Sequence, residues 1–337
     1  MGSDYQVPVF FQTAVHFLFI PLTLVFLSSD YSSSFAQTGH SIATYTYKTA
    51  GDCELKADVY RIMDDNVHPA ILWIHGGALI FGSRHWLKSE QCNFYLQAGY
   101  NVISIDYRLA PETPLDEIIR DLQDAWAWIR LRGPELFNID PQKMAVVGHS
   151  AGGYLTLMAG ICLEPKPGAL ISFYGYGNIS GDWYAAPDPF YRQGRLISRE
   201  EAFSVISDSV VCSVPGEDQW KPRLNLFYIY CRQQGLWPLL VTGHDPRKES
   251  RWFDQYEPLH QITADYPPTL LLHGRVDTDV PFEQSEKMYA ALNLAGVPCR
   301  FIEQSDWGHG FDGAGLKNEA VGKAFDEVHL FLDKYVK

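Results

Sequence analysis

The sequence predicts an α/β fold in which a mainly parallel central sheet carries helices on both faces. Short runs of consecutive apolar residues alternate along the chain with segments whose apolar residues recur every three or four positions. Such runs are typical of strands buried on both faces, and their alternation with helices is typical of parallel sheets. With 337 residues, 46% of them hydrophobic, the chain is long enough for one large domain or two small ones with a sizeable core.

Each predicted element follows from a local residue pattern. The first two strands alternate apolar and polar residues, as in an antiparallel pair at the edge of a sheet, whereas the later strands are mostly continuous apolar runs. In chain order, the predicted strands cover residues 44–47, 53–60, 70–74, 100–105, 144–147, 169–173, 270–272 and 299–303. The predicted helices cover residues 115–131, 154–161, 283–294 and 318–335.

Residues 178–265 interrupt this alternation. No strand pattern occurs in this stretch, and proline, tryptophan and tyrosine are concentrated in it. A stretch of this length cannot be a single loop in a compact domain. We therefore predict a mostly helical lid inserted between two strands of the sheet.

The first 36 residues are predicted to be a signal peptide or a signal anchor that precedes a globular domain of residues 37–337. Residues 7–27 are apolar and uncharged, and Ser34-Phe35-Ala36 offers small residues where a signal peptidase reads. The lack of a Lys or Arg in the first ten residues fits a signal peptide poorly, and the apolar run is long enough to span a bilayer. We favour a cleaved signal and hence secretion; a membrane anchor and a buried N-terminal helix are the alternatives.

Net charge and cysteine spacing argue against several kinds of function. The net charge of −13 disfavours binding to nucleic acids and to anionic lipid. The six cysteines form no C-x-x-C pair and no cluster with histidine at zinc spacing, so neither a metal nor another cofactor is predicted. Cys212 and Cys231 lie in the same irregular segment and are the first pair to test for a disulfide. Buried free thiols are the alternative.

Residues 143–154 read K-M-A-V-V-G-H-S-A-G-G-Y and contain the pattern G-x-S-x-G. A buried strand leads into this pattern and a helix follows it, which is the context of a nucleophile elbow. The turn is so tight that only a hydrogen atom fits at Gly148 and Gly152. We predict that Ser150 is a nucleophile towards which the first N–H groups of the helix point. The motif alone is a weak signal, because small residues also occur in ordinary turns.

A serine nucleophile needs a histidine to accept its proton and a carboxylate to orient that histidine. His309 lies between two glycines just after the last predicted strand and is the predicted base. Asp277 is the predicted acid, because it comes first after the end of its strand. Asp279 in the same loop is the alternative, and Asp306 is expected to cap a turn.

The predicted oxyanion hole consists of backbone N–H groups at the end of the strand over 70–74. That strand leads into His75-Gly76-Gly77-Ala78, where glycines allow the backbone to approach a substrate closely. The N–H groups of Gly77 and Ala78 are expected to act together with that of Ala151. All of these loops lie at the carboxyl ends of strands, where ligands bind in open α/β sheets.

Five motifs in this order resemble those of the α/β-hydrolase superfamily. They are H-G-G-A at 75–78, D-Y-R-L-A-P-E at 106–112, G-H-S-A-G-G at 148–153, H-G-x-x-D-x-x-V-P at 273–281 and G-H-G-F at 308–311. The nearest branch is the esterase/lipase group around hormone-sensitive lipase, with the feruloyl- and acetyl-xylan-esterase-like and prolyl-oligopeptidase-like hydrolases beside it. The resemblance implies an α/β-hydrolase fold with Ser150 as nucleophile, Asp277 as acid and His309 as base. The chain departs from the usual H-G-G-G at Ala78.

Three hypotheses about function follow. The first is a hydrolase of small to medium apolar carboxylic esters that acts through an acyl-enzyme and without a cofactor. The second keeps the chemistry but changes the substrate to a peptide, an acyl sugar, a feruloyl ester or a lactone of secondary metabolism. The third is a binding protein on a hydrolase scaffold, which the presence of both serine and histidine disfavours. Aromatic residues of the lid are expected to shape an apolar pocket, although many of them will pack on the core instead: Trp183, Tyr184, Trp220, Trp237 and Trp252.

Overall fold

The structure is a computed structural model that describes residues 39–337. The predicted signal peptide or anchor of residues 1–36 lies outside the described residues. Within residues 39–337, none of the helices combines the length and the apolar composition that a membrane span requires.

An eight-stranded sheet forms the centre of the described chain, in the spatial order β1-β2-β4-β3-β5-β6-β7-β8. The first two strands are antiparallel to their neighbours, and the remaining six are parallel. This arrangement confirms the predicted edge pair and the predicted parallel centre. The strands are β1 His40–Ala50, β2 Cys53–Ile62, β3 His68–Ile74, β4 Asn101–Ile105, β5 Ile139–His149, β6 Ala169–Phe173, β7 Thr269–Gly274 and β8 Cys299–Gln304.

Helices cover both faces of the sheet because its central strands are apolar on both sides. In β5, Met144 and Val146 belong to one buried apolar cluster, and Ala145 and Val147 belong to the other. Successive residues of a strand point to opposite faces, so both faces of the sheet have to be covered. The first cluster includes α2 Leu115–Phe137, α3 Ala151–Cys162 and α10 Glu283–Leu294, and the second includes α1 Ser89–Gln97 and α11 Glu319–Tyr335.

The segment between β6 and β7 contains helices and no strand in the described chain. Its helices are α4 Asp182–Ala185, α5 Arg199–Phe203, α6 Glu217–Pro222, α7 Ile229–Gln234, α8 Trp237–Thr242 and α9 Ser250–Phe253. A π-helical turn over Arg223–Tyr228 joins α6 to α7 without a break. We call residues 178–265 the insertion; its role as a lid stays a prediction.

The second helix is longer than its residue pattern predicts. It continues from residue 131 to Phe137, through Pro134, and Asn138 ends it in the left-handed conformation. Proline inside a helix removes a hydrogen bond and costs about 3 kcal/mol. The side chain of Phe137 is fully buried, and this burial offsets part of that cost.

The disulfide in the structure differs from the pair that we expected to test first. Cys212 is bonded to Cys53 at the start of β2, with 6.0 Å between their Cα atoms, while Cys231 is a buried free thiol. The two cysteines meet because the part of the insertion around Cys212 lies against the loops that follow β3 and β4. There the N–H of Val214 donates to the carbonyl of Gly82 at 3.1 Å. Proximity in sequence was therefore the wrong guide to the partner.

Candidate active site

Ser150 stands at a sharp turn between β5 and α3. Its backbone has φ 55° and ψ −119°, a strained conformation for a residue with a side chain. A Cβ atom added at Gly148 would overlap the carbonyl of Gly152, and one added at Gly152 would overlap the carbonyl of Ile74. The strand and the helix thus approach so closely that both positions need glycine, as the sequence predicted. The turn leaves the Ser150 hydroxyl at the carboxyl end of the sheet.

The structure brings Ser150, His309 and Asp277 into one chain of hydrogen bonds. Ser150 Oγ lies 3.0 Å from His309 Nε2, and His309 Nδ1 lies 2.8 Å from Asp277 Oδ2. The second oxygen of Asp277 accepts the N–H groups of Asp279 and Val280 at 2.8 and 2.9 Å. This arrangement suits a neutral histidine that carries its proton on Nδ1 and accepts the serine proton at Nε2.

Burial and neighbouring charges decide the ionisation of the acid and the histidine. Burial of the Asp277 side chain raises its pKa, but hydrogen bonds from His273 and His309 outweigh burial and hold the pKa well below its usual range. Asp277 is therefore ionised at neutral pH. Burial lowers the pKa of His309, whereas the carboxylates of Asp279 and Asp277 raise it, and the net effect is a raised pKa.

The other two carboxylates that the sequence offered do not contact Nδ1 of His309. Asp279, the alternative acid, faces the opposite ring nitrogen, with Oδ2 at 3.4 Å from His309 Nε2. Asp306 is exposed in the turn after β8. Of the three acids, Asp277 alone makes the Nδ1 hydrogen bond that a triad carboxylate makes.

The loop after β3 borders the same space as Ser150. Gly77 and Ala78 line a cavity together with Ser150 and His309. In the described part of the chain, the N–H groups of Gly77 and Ala78 donate to no protein acceptor. Ala151, the third predicted donor, is the first residue of α3 and directly follows the serine. These positions leave backbone donors free next to the nucleophile.

The cavity at Ser150 has a volume of about 330 Å³ and is largely apolar. This volume is at the small end of the range for small-molecule sites. Trp73, Phe81 and Trp86 form much of its apolar wall, and the insertion contributes Leu224 and Tyr228. The residues of the π-helical turn thus reach the site, as residues of such turns often do.

Comparison with known proteins decides the family. A family model described as alpha/beta hydrolase fold matches residues 71–313. This chain belongs to the α/β-hydrolase family. The match covers more than half of the chain and includes every residue of the hydrogen-bonded chain at Ser150. The fold and the family that the five motifs predicted are therefore confirmed.

Solved structures share the fold of this α/β-hydrolase. A Staphylococcus aureus protein with unknown function is 24% identical, with a TM-score of 0.70 that covers 88% of this chain and 100% of the other. A thermophilic esterase from Thermogutta terrifontis, Est2, is 24% identical, with a TM-score of 0.61 over 87% of this chain and 92% of the other. At these identities the likeness shows the fold alone.

The curated relatives are much longer proteins. The non-reducing polyketide synthase Preu6 of Preussia isomera is 28% identical over 309 residues, which cover 82% of this chain and 14% of the synthase. The synthase atr1 of Stereocaulon alpinum is 29% identical over 304 residues, which cover 80% of this chain and 12% of that protein. This hydrolase therefore spans a small part of the synthases that it matches.

The five aromatic residues of the insertion that the sequence named pack on the core of this hydrolase, which was the alternative to shaping the pocket. Within the described residues, Trp183, Tyr184, Trp220, Trp237 and Trp252 do not line the cavity. Tyr184 stacks on Trp237 with 4.1 Å between ring centroids, and Trp237 Nε1 donates to the carbonyl of Ala78 at 3.1 Å. Trp237, with Tyr184 stacked on it, joins the insertion to the domain, and the cavity takes most of its aromatic wall from the domain itself.

A polar cluster that no motif predicted lies at one side of the cavity. Asp312 accepts hydrogen bonds from the Tyr174 hydroxyl and from Gln91 Nε2, and His149 Nδ1 lies 3.4 Å from the same carboxylate. Burial raises the pKa of Asp312, but His149 and Tyr174 outweigh burial and hold the pKa well below its usual range. Lys88 completes the cluster. These five residues come from four separate segments, so no sequence pattern could have joined them.

Residues 39–337 contain no group of three or more His, Cys, Asp and Glu side chains placed to bind a metal ion. The groups that the site does offer are a hydroxyl, an imidazole, carboxylates and backbone N–H donors. This set suits nucleophilic acyl transfer.

Proposed function

We propose that this chain is a serine hydrolase that cleaves carboxylic esters through an acyl-enzyme intermediate. The observation that carries the proposal is the hydrogen-bonded chain from Asp277 through His309 to Ser150. A serine hydroxyl is a poor nucleophile unless a base accepts its proton. His309 is such a base, and it lies within hydrogen-bond distance of the Ser150 hydroxyl. Membership of the α/β-hydrolase family supports the same chemistry.

In the proposed first step, Ser150 Oγ attacks the carbonyl carbon of the ester and its proton passes to His309 Nε2. The carbonyl oxygen becomes an oxyanion, which the N–H groups of Gly77, Ala78 and Ala151 stabilise. The carbon–oxygen bond to the alcohol then breaks, and the proton on Nε2 passes to the leaving oxygen. Asp277 keeps the ring in the right tautomer and stabilises the imidazolium.

In the proposed second step, water replaces the alcohol. His309 accepts a proton from the water as its oxygen attacks the acyl carbon, and the proton then returns to Ser150 as the acid leaves. The first half therefore ends with neutral His309 and an acylated Ser150, and the second half ends with neutral His309 and a free Ser150 hydroxyl. No cofactor takes part in either half.

The cavity supports small to medium apolar esters as substrates. Its volume of about 330 Å³ and its aromatic wall suit an apolar acyl or alcohol group. A structure of the Thermogutta terrifontis esterase with propionate bound fits a small acyl group in the same fold. We further propose that the insertion acts as a lid, because Leu224 and Tyr228 form one wall of this cavity.

The polyketide synthase relatives favour a second candidate substrate. Two of them match 82% and 80% of this chain at 28% and 29% identity. We propose an ester or lactone of a polyketide-like secondary metabolite as the alternative to simple apolar esters. A peptide substrate, as in prolyl-oligopeptidase-like hydrolases, is the third case, and the substrate panel described below includes it.

We also propose that the chain works in an oxidising compartment, in line with the predicted signal. The bond between Cys53 and Cys212 supports this proposal, because disulfides persist mainly in secreted proteins. Mass spectrometry of the protein from its natural source, without reduction, would test both the disulfide and the cleavage of the signal. A reduced Cys53 and Cys212 would contradict the oxidising compartment, and an intact N-terminus would contradict a cleaved signal.

The decisive experiment for the chemistry compares Ser150→Ala with Ser204→Ala, a change of an exposed serine in the insertion. Wild type and Ser204→Ala should hydrolyse p-nitrophenyl butyrate and bind a fluorophosphonate probe covalently, and Ser150→Ala should do neither. If Ser150→Ala kept full activity, the proposed nucleophile would be wrong. A panel of aryl esters, acyl lengths, lactones and peptides then separates the substrate classes.

A further inference from the structure

Asp279 presents an unshared carboxylate oxygen to the reacting atoms of the site. Its Oδ1 accepts three hydrogen bonds, from the hydroxyls of Tyr191 and Tyr228 at 2.6 and 2.5 Å and from the Arg232 guanidinium at 2.8 Å. Its Oδ2 lies 3.4 Å from His309 Nε2, and Asp279 lines the cavity. We propose that Asp279 is a positioning residue that stabilises His309 when Nε2 carries the proton of the nucleophile.

The three donors hold the carboxylate in one orientation. All of them come from the insertion, and Arg232, whose side chain is 1% exposed, also donates to the backbone carbonyl of Asp279 at 2.8 Å. Because a buried guanidinium and two phenols hold the Asp279 carboxylate, it cannot rotate into solvent. Burial raises the pKa of Asp279, but His309, Arg232 and the two tyrosines outweigh burial and keep its pKa below the usual value.

The interaction between Asp279 and His309 changes sign during the reaction. In the resting site, Nε2 of the neutral ring presents a lone pair, which a nearby carboxylate oxygen repels. After Ser150 has passed its proton to Nε2, the same oxygen faces an N–H and a positive ring, and the interaction is attractive. An interaction that is stronger in the transition state than in the ground state accelerates the chemical step. This inference rests on the proposed function, because it assumes that His309 is the base.

The other groups around the His309 ring are not placed to stabilise a proton on Nε2. Asp277 is bound to the opposite nitrogen, Nδ1. Tyr174 packs edge-on against the ring with 4.7 Å between centroids, and burial raises its pKa well above the usual value, so it is uncharged. Asp312 also raises the pKa of His309, but its carboxylate is engaged by Tyr174 and by Gln91 Nε2 at 2.6 Å. Among the described residues, Asp279 is the carboxylate in ion-pair contact with Nε2.

The test is the pH dependence of kcat/KM for a neutral ester in wild type, Asp279→Asn and Asp279→Thr. Both variants remove the negative charge but keep a polar atom for the three donors. The acid limb of the profile should move to lower pH, because the imidazolium loses a stabilising charge. At high pH kcat/KM should fall about threefold or more, because the base is weaker. Two variants are used so that the test does not depend on the folding of one.

The matched control is Asp188→Asn. Asp188 is the second carboxylate that pairs with Arg232, and it is not among the residues that line the cavity. This change disturbs the same guanidinium but leaves the charge of Asp279 in place, so the acid limb should stay where it is. If Asp279→Asn or Asp279→Thr is active with the wild-type acid limb, Asp279 does not act on His309 and the inference is wrong. That result would leave Ser150 untouched, whereas retained activity of Ser150→Ala would refute the function itself.

Discussion

Ser150 and His309 are 159 positions apart in sequence, yet Ser150 Oγ lies 3.0 Å from His309 Nε2. The two side chains meet because both follow the carboxyl ends of parallel strands in one sheet: Ser150 follows β5 and His309 lies in the loop after β8. Loops at that end of an α/β sheet share one edge, however far apart they are in the chain.

Asp277→Asn should lower kcat by about 10³- to 10⁴-fold, because the amide no longer selects the tautomer with the proton on Nδ1. KM should change much less, since Asp277 has a fully buried side chain and is not among the residues that line the cavity. Steady-state kinetics on p-nitrophenyl butyrate measures both constants. Asp306→Asn, which changes the exposed aspartate after β8, should behave as wild type. Near-normal turnover of Asp277→Asn would show that another group orients His309.

The rate of the wild-type protein should fall in acid with a midpoint above that of free imidazole. Burial lowers the pKa of His309, but Asp279 and Asp277 outweigh burial and raise it. The base must be neutral to accept the serine proton, so activity is present above this raised pKa and is lost as the pH falls through it. Measuring kcat/KM as a function of pH at constant ionic strength would give the midpoint of this loss of activity in acid. A midpoint at or below that of free imidazole would contradict this assignment.

Gly148→Ala should destabilise the fold by about 2–3 kcal/mol or more, because the added methyl overlaps the backbone of Gly152 and overpacking of this kind is costly. Gly194→Ala is the matched control, since nothing lies within 4 Å of an added Cβ there and its φ is −84°. Urea unfolding of the two variants compares their free energies of unfolding. Equal stability of the two would mean that the strand and the helix are not as close as the structure shows.

Cys53→Ser should destabilise the protein by about 2–4 kcal/mol under oxidising conditions, because the bond to Cys212 closes a long loop that is otherwise free in the unfolded chain. Cys299→Ser, which changes a partly buried free thiol, should have a smaller effect. Thermal unfolding with and without reductant provides the measurement. If reductant lowers the melting temperature of wild type and Cys53→Ser alike, the bond does not stabilise the fold.

Leu224→Ala should raise kcat/KM for longer acyl or alcohol groups relative to acetate esters, because Leu224 forms part of the cavity wall. The expected gain is about 10-fold for a chain that fills the new space, in line with one or two buried methylene groups. Leu239→Ala removes the same side chain from a partly exposed position in α8 and should leave the ratio unchanged. If Leu224→Ala left the ratio of kcat/KM for longer esters to that for acetate esters unchanged, the substrate would not bind against Leu224.

Local residue patterns predicted most of the sheet. The strand at residues 70–74 and the helix at residues 283–294 agree with the structure to within a few residues, because burial on both faces and helical spacing leave a direct trace in the sequence. The end of α2 was missed. Its last turn depends on the burial of Phe137, which is a property of the packed domain, and Pro134 pointed to an earlier end.

The sequence by itself determined the family, the order of the strands and helices along the chain, and the loops that carry Ser150, Asp277 and His309, because these are local motifs at the ends of predictable strands. Only the tertiary structure decided which aspartate meets Nδ1 of His309 and which cysteine bonds Cys212. It also decided that the cavity takes its aromatic wall mainly from the domain and that the insertion holds Asp279 against Nε2. The disulfide and the placement of Asp279 depend on how the helical insertion folds back over the sheet. Contacts between distant segments leave no periodic pattern in a single sequence.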